Sequence, residues 1–174
     1  MRARIRRFRR RRGGSVSVEF ALLASVLLTL SAGTVELGRC LQMYRAVNRI
    51  ATQYAIVWAD CVDTPSGTCN TELAAYASQS TLSNIAVELT TASISVRMLQ
   101  VHMSGTTPTV TYSYPSGATL TTAERTIAAG LLADTQSGVI VTGSYTHTVS
   151  FFPHVMSTLL APLLTPSFTV AQLK

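Results

Sequence analysis

Proline is absent from the chain before Pro65, and lysine occurs once, at Lys174. The first absence removes the usual helix breaker from more than a third of the sequence. The second, with few charges of either sign in the later chain, excludes a basic nucleic-acid-binding domain. Eight of the fourteen Lys+Arg precede Gly14, and from Ser15 onward six basic residues face eight acidic ones. The formal net charge of +6 is therefore a property of the N-terminal tail. There is no G-x-S-x-G, no H-E-x-x-H, no P-loop and no phosphate-binding glycine pattern. Three cysteines without a second Cys or His pair at suitable spacing give no zinc signature, and no cofactor is expected.

What is present begins with Arg2, Arg4, Arg6, Arg7 and Arg9–Arg12, followed by the apolar run VSVEFALLASVLLTLSAGTV from Val16 to Val35. As a helix this run spans about 30 Å, the thickness of a hydrocarbon core. Arginines next to such a run follow the positive-inside rule, which predicts a cytoplasmic N-terminus and an exported C-terminal part. The partner is then a lipid bilayer and not nucleic acid. The exported part is rich in Ser and Thr. In an oxidising compartment Cys61 and Cys69, around a turn with Pro65 and Gly67, can form a disulfide; two unpaired thiols are the alternative. Cys40 is left over as an ordinary small residue on a helix.

Beyond Glu36 the residues Leu37, Leu41, Tyr44, Val47, Ala51, Tyr54 and Trp58 recur at helical spacing, with Arg39, Arg45 and Arg49 on the other side. This predicts one helix from about Ser15 to Ala59, half lipid-soluble and half amphipathic. Turn residues fill Asp60–Thr68, and a second helix is predicted from Asn70 or Thr71 to Leu89. A period of two then marks Ile94–Met98, slipping phase at Leu99–Met103 through a bulge, with further strands at Thr109–Tyr114 and Gly138–Phe151. Thr121–Ala133 reads as a short helix, and His154–Leu164 as another, followed by an extended tail. The fold class is α+β: a long N-terminal transmembrane and stem helix, a second helix and a small antiparallel sheet. The divisions are a basic leader at 1–14, a transmembrane helix at 15–36, its amphipathic continuation at 37–59 and an extracytoplasmic domain at 60–174.

Gly14-Ser15-Val16-Ser17-Val18-Glu19-Phe20 places an acid five residues after a glycine, at the mouth of an apolar helix. A carboxylate there costs about 2–3 kcal/mol on insertion scales if it sits deep, which makes it a functional candidate. At headgroup depth it costs little. Gly-x-x-x-x-Glu before an apolar helix resembles the processing signature of prepilins. The resemblance implies cleavage after Gly14 by an inner-membrane prepilin peptidase, leaving Ser15 as the first residue. It also implies that Glu19 neutralises the new amino terminus of an adjacent subunit. More narrowly, Gly14–Arg49 is similar to the TadE-like family of the tight-adherence pilus system. The similarity rests on Gly14-Ser15, on Val18-Glu19-Phe20-Ala21, on Glu36-Leu37-Gly38-Arg39 and on the helix RAVNRIATQYA at Arg45–Ala55. Leu37 stands where the family usually has Phe, and the leader is unusually basic. The resemblance implies a minor pilin or pseudopilin of the bacterial inner membrane, working in assembly of Flp-type pili. Its partners would be prepilin peptidase and other pilins through the N-terminal helix, with a periplasmic C-terminal domain and entry into a surface fibre left open.

Three other readings compete. A cleavable secretory signal would use Leu22–Leu30 and cut near Ser31-Ala32-Gly33, but Glu19 and the helix pattern continuing past the cut oppose it. A membrane-anchored enzyme would need His102, His147 or His154 with Asp134 or Glu124, and none has a signature around it; no enzymatic activity is expected. A membrane-anchored or secreted envelope binding protein without a pilus role is the alternative function. Glu36 and Arg39, one helical turn apart, read either as a local ion pair or as a group that recognises a partner helix.

Overall fold

The computed structural model describes residues 2–62, 68–77, 81, 82, 84, 89 and 94–174, with side chains from Val16 onward. Helix α1 runs unbroken over Arg2–Cys61. It starts well before the expected Ser15, because arginine is a good helix former and Gly13–Gly14 cost only about 1 kcal/mol each. At 1.5 Å per residue it is about 90 Å long. A shorter helix, α2, covers Thr68–Tyr76. It begins slightly earlier than expected, and most of the span predicted to carry it on to Leu89 lies outside the described residues, as do turn residues Asp63, Pro65 and Gly67.

Four strands follow, β1 (Ile94–Ser104), β2 (Thr107–Tyr114), β3 (Ser137–Tyr145) and β4 (Ser167–Leu173). They form one antiparallel sheet in the order β2-β1-β3-β4. Helix α3 (Thr122–Leu131) lies between β2 and β3 in sequence, and α4 (Pro153–Leu159) with a 3₁₀ turn at Ala161–Leu163 lies between β3 and β4. The architecture is α+β, as expected.

The sheet is covered on both faces. Ile94, Val96, Met98, Val139, Val141 and Tyr145 pack with Val47, Ile50, Tyr54 and Trp58 of α1. On the opposite face Leu99, Val101, Met103 and Ile140 pack with Ala128 of α3 and with Leu132. This explains the phase slip in β1 without a bulge in that strand. β1 keeps one unbroken register with β3 from Ile94↔Tyr145 to His102↔Ser137. α1 buries one face of its first half and α3 the other face of its second half. The irregularity lies in the pairing with β2, between Gln100 and Val101, where Thr111 is the extra residue.

Other differences have local causes. β3 stops at Tyr145 instead of reaching Phe151, because the amides of Ser150 and Phe151 donate to a side chain of α1 and not to a neighbouring strand. The tail expected after Leu164 is the edge strand β4, whose Phe168 ring stands edge-on to Tyr44 at 4.2 Å. α1 approaches the sheet closely at Gly143, where an added Cβ would lie 3.3 Å from the Val47 carbonyl oxygen. Trp58 is fully buried, donates to Asn70 Oδ1 at 2.5 Å and meets Tyr112 edge-on.

α3 is fixed by a capping box. Thr121 Oγ1 accepts from the Glu124 amide at 3.3 Å, and Glu124 Oε2 accepts from the Thr121 amide at 2.8 Å. The same carboxylate accepts from Arg97 of β1 and, at 3.2 Å, from Thr142 of β3. Burial pushes the Glu124 carboxyl up, but the Thr121 amide, the Arg97 guanidinium and the Thr121 hydroxyl outweigh it and hold the group below its ordinary value.

Candidate functional site

Two features of α1 carry the candidate site: its exposed apolar half and the junction where that half meets the head. Val16, Val18, Phe20, Leu22, Leu23, Val26, Leu27, Leu28 and Leu30 all keep more than half their surface exposed. A helix apolar on every side and uncovered by its own domain has the surface of a membrane span. Its hydroxyls agree. Ser25 donates to Leu22 O, Thr29 to Ser25 O and Thr34 to Ser31 O, each at 2.8 Å, so these polar hydrogens are satisfied within the helix. Glu19 and Phe20 project from this half. Gly14 and Ser15 lie on the helical backbone of α1, ahead of the described side chains.

At the other end of the apolar run, Glu36 has no exposed surface. Its Oε1 accepts from the amides of Ser150 at 2.8 Å and Phe151 at 3.0 Å, and its Oε2 lies 3.1 Å from His147 Nε2. Arg39 Nη1 is farther, at 3.9 Å, so the one-turn ion pair is the weaker of its contacts. Two backbone donors and an imidazole satisfy a carboxylate that would otherwise be costly to bury. The result is a clamp that ties the β3–β4 connection to α1.

The arrangement around the clamp is local. Arg39 is exposed and its guanidinium stands 5.8 Å from the centre of the Phe151 ring. Gly38 faces open space, with nothing within 4 Å of where a Cβ would stand. Cys40 is buried one turn above Glu36 and is not disulfide-bonded; burial and the Glu36 charge push its thiol up, which makes it a poor nucleophile. Phe152 has left-handed backbone, φ 48° and ψ 58°, at the N-cap of α4. Such a conformation costs a residue with a side chain about 1–3 kcal/mol and persists where its surroundings enforce it. Farther along the stem, Cys61 and Cys69 are joined as a disulfide with Cα atoms 5.7 Å apart, linking the end of α1 to α2.

The histidines do not converge. His102 Nδ1 lies 3.0 Å from Ser137 Oγ, His147 is held at Glu36, and His154 is exposed on α4. Among the described residues no three His, Cys, Asp or Glu side chains group as metal ligands. Glu19 and Glu36 share one helix but stand about 26 Å apart along it, so they belong to separate sites. Sequence reasoning singled out Glu36 but not its partners, more than a hundred residues away. The only hint was the uncharged Ser150-Phe151-Phe152-Pro153-His154 sequence.

These features define a stem-and-head protein with, among the described residues, one helix long and apolar enough to cross a membrane. Residues 14–55 match the model of a family described as TadE-like protein, so this segment of the chain is similar to that family. The match covers about a quarter of the chain, ends within α1 and leaves the sheet outside it. A TadE-like segment on such a helix supports a membrane protein of a pilus system. Comparison with curated proteins and with solved structures gives no match.

Proposed function

We propose that this protein is a minor pilin or pseudopilin that acts in assembly of Flp-type tight-adherence pili. The observation that carries the reading is the TadE-like match over residues 14–55, lying on a helix whose apolar half is left uncovered. In this reading the arginine leader stays in the cytoplasm, α1 crosses the bacterial inner membrane, and the α+β head is periplasmic. Prepilin peptidase cuts after Gly14, freeing Ser15. The exposed helix then exchanges lipid for the helices of other pilins. Glu19 pairs with the amino terminus of a neighbouring subunit, and that pairing offsets the desolvation of both charges. Phe20 and its apolar neighbours supply the packing surface. The Glu36-Leu37-Gly38-Arg39 turn marks the point where the helix leaves the bilayer. Binding and assembly account for the protein's role without a catalytic step.

The test is the mature N-terminus, read by mass spectrometry in cells carrying prepilin peptidase. A start at Ser15 is expected, with Gly14→Ala blocking the cut and Glu19→Ala permitting it while reducing piliation. A start near Thr34 would indicate ordinary secretion, and an intact leader a plain anchor; either result overturns the pseudopilin reading.

A further inference from the structure

The connection between β3 and β4 leaves the head and runs back along α1 toward its apolar half. It closes at its base, where Tyr145 N donates to Pro166 O at 3.0 Å and His147 N to Leu164 O at 2.7 Å. From there it descends along the helix. Phe151 lies beside Arg39, the amides of Ser150 and Phe151 are held by Glu36, and Met156 of α4 reaches Gly33, 3.5 Å from where a Cβ would be. Gly33 lies about 4.5 Å below Glu36 along the axis, inside the apolar run. α4 therefore sits beside the last turn of the segment suited to a membrane.

Its surface suits the same environment. Phe151, Phe152, Val155 and Leu159 are 44%, 52%, 54% and 68% exposed. The other large exposed apolar side chains described in the head are spread over α2, β2, α3 and β4. No Asp, Glu, Lys or Arg occurs from Thr135 to Leu173. Ser157 and Thr158 on α4 both donate to the His154 carbonyl, so their hydroxyls need no water. Arg39 sits over the Phe151 ring at the upper edge, the arrangement of a cationic group above aromatic anchors at a membrane boundary.

We propose that residues 148–163 form a second membrane contact, an apolar strap that lies in the outer interfacial layer of the bilayer beside α1, and that Glu36 is the positioning residue that holds it there. The partner is lipid. The strap is continuous with the lipid-facing surface of α1, contains no Asp, Glu, Lys or Arg, and has the Ser157 and Thr158 hydroxyls satisfied within α4. Glu36 gains its role through the two amides that it fixes just before Phe152. This inference rests on α1 crossing a bilayer.

The test uses the full chain in nanodiscs with phosphatidylcholine brominated near the headgroup or deep in the acyl chain. Leu28→Trp reports on the span, and Phe152→Trp and Leu159→Trp on the strap, each read as the difference from the parent, whose Trp58 is buried. Both strap reporters are expected to emit at shorter wavelength than an exposed Trp, and to be quenched more by shallow bromines than by deep ones. Adding Glu36→Leu, which removes the oxygen that accepts both amides, should remove the quenching at Phe152→Trp and leave that at Leu28→Trp. Strap reporters untouched by bromine while Leu28→Trp is quenched overturn the lipid contact. If those reporters are then also shielded from aqueous acrylamide, a second copy or another protein is the occupant. Quenching that survives Glu36→Leu overturns the positioning role. If Leu28→Trp itself is not quenched, the bilayer reading has failed first.

Discussion

Phe20 and Leu28, in the lower half of α1, keep 72% and 65% of their surface, whereas Ile50 and Trp58 in the upper half keep 1% and 0%. Both halves belong to one unbroken helix. The lower half is apolar on all sides, and the head reaches it at its last turn, where Met156 meets Gly33. The upper half is apolar on one side only, and that side is filled by β3, β4 and α2. Arg45 and Arg49 project from the exposed side. The comparison teaches that composition around the helix, more than helix propensity, selects the partner: solvent and sheet for a surface with one polar and one apolar side, an apolar environment for a surface apolar all round.

The largest test of that division replaces the buried indole. Trp58→Ala should destabilise the head by about 3–5 kcal/mol, through a cavity and the loss of the bond to Asn70. Leu27→Ala, on the uncovered half, should change head stability by less than about 0.5 kcal/mol. Denaturant titration followed by amide exchange in β1 and β3 measures both, and equal losses would erase the distinction. Next comes the tie at the top of the stem. Replacing Cys61 and Cys69 together by Ser should cost about 2–3 kcal/mol on a chain-entropy basis. Reduction of the unaltered protein should reproduce the loss, and a stability unmoved by either treatment would show that packing alone holds α2.

The smallest expected effect concerns the face of the sheet away from α1. The folded Glu124 carboxyl is held below its ordinary value, so its contribution is complete above the unfolded value of about 4.3. That contribution is lost as pH falls through the lower folded value. The melting temperature should hold from neutrality to about pH 5 and decline below about pH 4. Glu124→Gln should cost about 1–2 kcal/mol at pH 7, because the amide keeps one acceptor, and should flatten the acid decline. An unchanged acid slope in the variant would place the sensitivity elsewhere.

Much of the fold was legible locally. Strict spacing from Leu37 to Trp58 marks the stem, alternation marks β1 and β2, and Thr121 with Glu124 marks the start of α3. What escaped depends on distant partners. The phase slip in β1 is read naturally as a bulge, because a single strand does not disclose that one helix before it in the chain and another after it cover its two faces in turn. Gly138–Phe151 alternates well enough to pass for one strand, yet Glu36 takes the amides of its last residues. β4 has the weak pattern of an edge. Glu36 itself was singled out as part of a short motif, with Arg39 as its nearest charge. Its main partners, His147, Ser150 and Phe151, carry no sequence signature that would link them to it.

The head grips α1 along its upper part at three levels: Glu36, the close approach of Gly143 to Val47, and the disulfide at Cys61. A body fixed to a shaft at several heights cannot swivel around it. Each residue step around an α-helix is about 100°. A change of one position in how the lower half of α1 meets its neighbours would therefore swing the whole head by that angle, so the direction in which the head faces is set by the azimuth of that lower half.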